Sequence, residues 1–208
     1  MKNWLKKIYV GLFAVCTFLI LFYIYFNRVP DRVIPQGNVV VAPANGKIIG
    51  IEEVDQNMIS FFKNDIENKL TVNKIDPPYK IIVIEMNLKN VHVQRAPISG
   101  EIIDQEYFEG KHKNALSSDN LEQLANVNEK NLIVIKNDSL SVGVVQVAGI
   151  AARRIQSFVK INDRLDKGDI YGRILLGSQV VLIIPGSVSL NVKVGDVLID
   201  GESIIATY

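Results

Sequence analysis

Residues 8–26, IYVGLFAVCTFLILFYIYF, run for 19 positions without a charge. At 1.5 Å per residue a helix of that length spans about 28 Å, close to the hydrocarbon thickness of a bilayer. A chain of 208 residues can carry one large core, or an anchor plus a domain of roughly 170 residues. The uncharged run argues for the second. A cleaved signal peptide would have a shorter apolar region and an Ala-x-Ala-like site, whereas this run ends in the aromatics FYIYF, which suit a membrane interface. The sequence therefore reads as a basic N-terminus (1–7), a transmembrane or membrane-embedded helix (8–26), a linker (27–38) and a domain (39–208). Lys2, Lys6 and Lys7 precede the helix, while Arg28 and Arg32, offset by Asp31, follow it. By charge alone the N-terminus is cytoplasmic and the domain lies outside.

With 23 basic and 22 acidic residues the net charge is +1, so no bulk field advertises nucleic acid as a partner. The single cysteine, Cys16, sits in the apolar run and can supply neither an intrachain disulfide nor a zinc cluster. No metal is expected. The linker, NRVPDRVIPQGN, reads as an extended tether because proline disfavours helix at itself and at its predecessor. Beyond it, short β-branched runs separated by turn residues predict a mainly β domain, a sheet-rich sandwich or barrel-like fold with one or two short helices. The helices are expected at 57–70, where Met58, Phe61, Phe62 and Ile66 share one face of a helical wheel, and at 117–127, where Ser or Asp caps the start. VVVAPANGKIIGI near the start and VKVGDVLIDGESIIA near the end echo one another, each with glycine where strands must turn.

Several segments, taken in order, carry a more specific signal. FNRVPDRVIP (26–35), APANGKI (42–48), NVHVQRAPISG (90–100), YFEGKHKNA (107–115), VVQVAGIAARRI (144–155) and GDIYGRILLGSQVVLIIP (168–185) resemble the phosphatidylserine decarboxylase family, especially its short, archaeal-type branch. QVAGIAARRI followed by GRILLGSQV is the distinctive pair; LGS alone would read as a bulge in a strand.

The resemblance implies a proenzyme that cuts itself between Gly177 and Ser178. Ser178 Oγ attacks the Gly177 carbonyl carbon, elimination releases the upstream chain, and hydrolysis of the resulting dehydroalanine leaves a pyruvoyl group. The products are a β chain, 1–177, and an α chain, 178–208, held as a heterodimer. Gly177 suits the step because it offers no Cβ to obstruct attack and tolerates a strained backbone. The pyruvoyl group forms a Schiff base with the amine of a serine phospholipid and accepts the electrons released with carbon dioxide. The implied reaction converts phosphatidylserine to phosphatidylethanolamine in phospholipid biosynthesis, with no metal and no diffusible cofactor. The resemblance also puts the domain at the cytoplasmic face of the cell membrane, against the charge count. An anchor lying within one leaflet removes that conflict. A phosphatidyl and an archaeal-type ether lipid both fit, and a higher oligomer stays open.

The same resemblance frames the remaining residues. His92 is the candidate for proton transfer, with His112 in reserve. In VHVQR, strand alternation sets His92 opposite Val91, Val93 and Arg95. Longer members have His-Arg-x-His-x-Pro, so Arg95 stands where they carry a second histidine. Asn45 in APANG replaces the aspartate that orients histidine during self-cleavage, and in serine hydrolases the same exchange lowers the rate by about 10⁴. Arg95, Arg153 and Arg154 are candidates for binding substrate phosphate or carboxylate. Two other readings compete: a non-enzymatic membrane-anchored barrel-sandwich adaptor module, and a decarboxylase-like protein that never matures.

Overall fold

The computed structural model describes residues 2–63, 66–110, 128–148, 155–175 and 179–208. The expected helix at 117–127 lies outside them, as do His112, Arg153, Arg154, Gly177 and Ser178.

Helix α1 spans Lys2–Phe26. From Lys6 to Phe26 it is long and apolar enough to cross a membrane. Its large apolar side chains stand exposed until Phe26, which is buried. Such a surface suits a candidate membrane anchor.

Beyond the linker the described residues are strands and turns. β1 (Val39–Val41) and β2 (Gly46–Val54) lead to β3 (Met58–Lys63), β4 (Ile66–Thr71), β5 (Tyr79–Glu85), β6 (Val93–Arg95), β7 (Gly100–Phe108), β8 (Lys130–Lys136) and β9 (Ser141–Val147). β10 (Ile155–Ser157), β11 (Arg164–Leu165), β12 (Ile170–Ile174), β13 (Gln179–Pro185), β14 (Ser189–Leu190), β15 (Val197–Leu198) and β16 (Ile204–Thr207) follow. Eight of them form one antiparallel sheet in the order β11-β7-β8-β9-β13-β5-β2-β15, with smaller sheets β1-β16-β14 and β10-β12-β6 and the pair β3-β4. The mainly β, sandwich-like expectation holds.

Both faces of the large sheet are covered, which explains why its central strands read as unbroken apolar runs. Ile82, Ile84, Val144, Val180, Leu182 and Ile184 join one core cluster. Their alternates Ile81, Val83, Val145, Val181 and Ile183 join another. Each such side chain withdrawn from water contributes about 1.5–3 kcal/mol, so the two-sided sheet is the main source of stability. Register shifts at Ile48/Gly50 in β2 and Ile102/Asp104 in β7 are bulges that bend its edges.

The helix expected at 57–70 is instead the antiparallel pair β3–β4, with Met58 opposite Thr71 and Lys63 opposite Ile66. Ile59, Phe61 and Lys63 are buried while Met58 and Phe62 are exposed, a period of two that overrides the helical spacing once one face meets the sheet. Ile59, Phe61 and Leu70 then roof the second core cluster. The two echoing segments do meet, as β1 pairs with β16 and β2 with β15.

The linker is docked along the domain rather than free. Pro30 O accepts from Arg95, Arg32 pairs with Asp200, Val33 N donates to Glu202, and Lys167 donates to Gly37 O.

Candidate active site

β12 and β13 belong to different sheets, and the chain passes from one to the other between Leu175 and Gln179. The groups bordering that crossing define the site.

His92 stands immediately before β6, which pairs with β12. Its carbonyl accepts from Ile174 N at 3.1 Å and from Gln94 Nε2 at 3.0 Å. Its ring is 1% exposed and lies 4.0 Å, centroid to centroid, from that of Phe26. Alternation does not give it a solvent face: Val91, Val93, Gln94 and Arg95 are buried with it. Neither ring nitrogen has a hydrogen-bond partner among the described residues. Burial lowers the imidazole pKa to about 4, with the Arg28 and Arg173 charges adding to the effect and the Asn90 backbone opposing it without completing a hydrogen bond. The ring is therefore neutral near pH 7. Buried polar atoms normally find partners, which sets the His92 ring apart among the described residues.

A one-way chain of amides fixes this backbone. Gln105 Nε2 donates to Asn131 Oδ1 (3.4 Å), Asn131 Nδ2 to Gln146 Oε1 (2.9 Å), Gln146 Nε2 to Gln94 Oε1 (2.8 Å), and Gln94 Nε2 to the His92 carbonyl. Gln94, Asn131 and Gln146 are buried, where such a network strongly favours one arrangement. Gly172 in β12 leaves it room, since a Cβ there would lie 2.8 Å from Gln146 Nε2 and 2.7 Å from Gln156 O.

Asn45 and His92 are not brought into hydrogen bonding. Asn45 Oδ1 accepts from Asp200 N at 2.7 Å, so the amide holds the β15–β16 turn. Arg95 is equally committed: Nε reaches Asp200 Oδ2 (2.9 Å), Nη1 reaches Gly168 O (2.9 Å) and Nη2 reaches Pro30 O (3.0 Å). Asp200, fully buried, also takes Arg32 at 2.6 Å. The turn is tight enough to need Gly201, at φ 75°, whose added Cβ would lie 3.0 Å from Arg95 Cδ. Arg95 thus clasps linker to domain, with each of its three guanidinium nitrogens engaged in that clasp.

The first residue of β13 faces the other side. Gln179 Nε2 donates to Phe62 O at 3.1 Å, while its buried Oε1 has no partner among the described residues. Gln179 aligns with Glu85 on β5 and Val147 on β9, and Val147 aligns with Lys130 on β8. Burial lowers the Lys130 pKa to about 8. It also lowers that of Lys63, which Glu85 partly counteracts.

Motif reading passes over Phe26, the four amides, Lys63, Lys130, Arg28 and Arg173. Polar residues inside apolar strand runs, such as the glutamine of SVGVVQV, are the signal that finds the amides. The anchor contacts have no local signal, because they join residues far apart in sequence.

The model of the phosphatidylserine decarboxylase family matches residues 19–206. A Methanocaldococcus jannaschii protein, provisionally named an archaetidylserine decarboxylase proenzyme, is 40% identical over 195 residues, covering 93% of this chain and 92% of the relative. A provisionally named archaetidylserine decarboxylase proenzyme of Methanothermobacter thermautotrophicus is 36% identical, covering 91% of this chain and 82% of the relative. The phosphatidylserine decarboxylase proenzyme of Wolbachia pipientis wMel is 35% identical, covering 94% and 80%.

Proposed function

This chain belongs to the phosphatidylserine decarboxylase family, and from that premise we propose that it is a membrane-bound lyase that removes the serine carboxyl group of a phospholipid after cutting itself between Gly177 and Ser178. Its substrate is phosphatidylserine and its product phosphatidylethanolamine. The reacting serine headgroup is the same in archaetidylserine, so the two substrates differ only in the glycerol backbone, its linkages and its chains. Family membership sets aside the adaptor reading.

The observation that carries the proposal is the state of His92. It is a neutral, buried imidazole with both nitrogens uncommitted among the described residues, and its carbonyl is tied to Ile174 N just upstream of Gly177. During self-cleavage such a base takes the proton of Ser178 Oγ as that oxygen attacks the Gly177 carbonyl carbon. The acyl group moves from nitrogen to oxygen. Elimination across the Ser178 Cα–Cβ bond then expels the Gly177 carboxylate, and water releases ammonia from the new terminus. In place of the aspartate of other members, burial and the amide chain hold His92, and Asn45 serves the Asp200 turn.

The pyruvoyl group formed at 178 supplies a ketone that condenses with the substrate amine and accepts the electrons left when carbon dioxide departs. The surroundings suit it. On the β12 side, the crossing is bordered by buried atoms without partners among the described residues, the two His92 nitrogens and Arg173 Nε. In turnover the neutral His92 ring first takes a proton from the substrate ammonium group, freeing the amine, and then returns that proton to the carbon that lost its carboxyl group.

Two features support a stable heterodimer of chains 1–177 and 178–208. β13 sits between β5 and β9, and β15 and β16 pair with β2 and β1, so the small chain is bound along both sides of β13 and at its far end. We read the anchored domain as lying at the cytoplasmic face of the membrane. The test is release of carbon dioxide from phosphatidylserine in mixed micelles by purified full-length protein, set against Ser178→Ala and His92→Ala. Activity in the wild type and none in Ser178→Ala supports the proposal. A wild type that remains one intact chain and releases no carbon dioxide contradicts it.

A further inference from the structure

Arg28 and, through its bond to the adjacent Asn27, Arg173 both lie where α1 joins the domain. Arg28 follows the last turn of α1; its Nη1 donates to Tyr25 O at 2.8 Å, its Nη2 donates to Lys89 O at 2.6 Å, and its guanidinium carbon lies 3.9 Å from the Tyr25 ring centroid. Arg173, on β12, donates through Nη1 to Asn27 Oδ1 at 2.8 Å, and its buried Nε has no partner among the described residues. Both guanidinium charges act on His92, so they flank the candidate base.

Their electrostatic balance sets them apart from their neighbours. Arg32 and Arg95 share the buried carboxylate of Asp200. Apart from the Tyr25 ring under Arg28, the partners of Arg28 and Arg173 are carbonyl and amide oxygens, and no acidic side chain pairs with either among the described residues. Two half-buried cations with neutral partners, set beside a neutral imidazole, leave an uncompensated positive site.

Resting on the decarboxylase reading above, we propose that Arg28 and Arg173 together form the binding site for the phosphodiester of the lipid headgroup. The level is right: Phe26 is the last residue of the apolar helix, and Asn27 and Arg28 begin the polar layer where lipid phosphates lie. The phosphate is also the better ligand. Tight ground-state binding of the serine carboxylate would oppose its departure, whereas the phosphate is unchanged between substrate and product. Planar guanidinium groups from two elements pair well with phosphate oxygens. The anchor thereby supplies part of the binding site as well as attachment.

The test uses dihexanoyl phosphatidylglycerol, which carries the phosphodiester but no amine or carboxylate. Its binding is measured by calorimetry on full-length Ser178→Ala protein in nonionic detergent, so neither processing nor turnover is needed. Dihexanoylglycerol is the neutral control. We expect saturable binding of the phosphatidylglycerol only, weakened about tenfold or more by Arg28→Gln or by Arg173→Gln and partly restored by lysine at either position. In the self-cleaving background, the KM for phosphatidylserine rises by a similar factor in Arg28→Gln, well beyond any fall in kcat. Absence of saturable binding, equal binding of the neutral control, or unchanged affinity in both glutamine variants overturns the proposal. So does a fall in kcat without a rise in KM. Failure of the wild type to decarboxylate, with phosphatidylglycerol binding intact, counts against the enzymatic reading and not against the anion site.

Discussion

The ring of Phe26 lies 4.0 Å from the ring of His92, tilted by 31°, so the last residue of α1 closes over the candidate base. This contact joins the candidate anchor to the candidate site. It adds to the burial that lowers the imidazole pKa to about 4.

Opening that cover raises the pKa. In Phe26→Ala, water reaches His92 and its pKa rises from about 4 toward the ordinary value of 6.5. A reaction that needs the neutral ring persists in the wild type down to about pH 5 and fails as pH drops through about 4. In the variant, the acid limb of kcat/KM moves up by at least one pH unit. An unmoved limb would show that Phe26 does not control His92.

The same residue makes stability depend on pH. Its folded pKa lies below its unfolded one, so between about 4 and 6.5 the unfolded state binds the extra proton. The contribution is full above pH 6.5 and is lost as pH falls toward 4. Chemical denaturation of Ser178→Ala protein, with and without His92→Asn, should show the parent losing more stability than the variant between pH 7 and pH 4.

The Asp200 clasp holds linker to domain. Asp200→Ala leaves Arg32 and Arg95 without their shared carboxylate and should destabilise by about 3–5 kcal/mol, read as a lowered urea midpoint. Asn45→Ala removes one hydrogen bond to the Asp200 amide and should destabilise by about 1 kcal/mol while self-cleavage proceeds. Loss of cleavage in a folded Asn45→Ala protein would return that amide to the processing machinery.

Breaking the amide chain should affect turnover. Gln146→Leu leaves Gln94 Oε1 and Asn131 Nδ2 buried without their partners, destabilising by about 2 kcal/mol or more. As a positioning residue it should lower kcat roughly tenfold with little change in KM. Gly172→Ala, whose methyl group would press on the same glutamine, should act in the same direction.

Much of this was legible in the sequence, in particular where periodicity and motif agree. The apolar run became α1, and the β-branched runs became a sheet buried on both faces. At 57–70 the spacing of Met58, Phe61, Phe62 and Ile66 satisfied a helical wheel, yet Ile59, Phe61 and Lys63 turn inward on one face of β3. The deciding partner was the large sheet, which no local window contains. Asn45 and Arg95 illustrate the same limit. Family position suggested a role for each, but Asp200, distant in sequence, takes up both. Phe26 and His92 stand 66 positions apart in the numbering, and only folding reveals their contact.

The most direct measurement is the intact mass of the chains in purified full-length protein, with N-terminal sequencing of the smaller one. The account predicts two chains, 1–177 and 178–208. The smaller should be blocked to sequencing and have the mass of a pyruvoyl group in place of Ser178, and both should be absent from Ser178→Ala. A single unprocessed chain, or a small chain that begins with an ordinary serine, would contradict it.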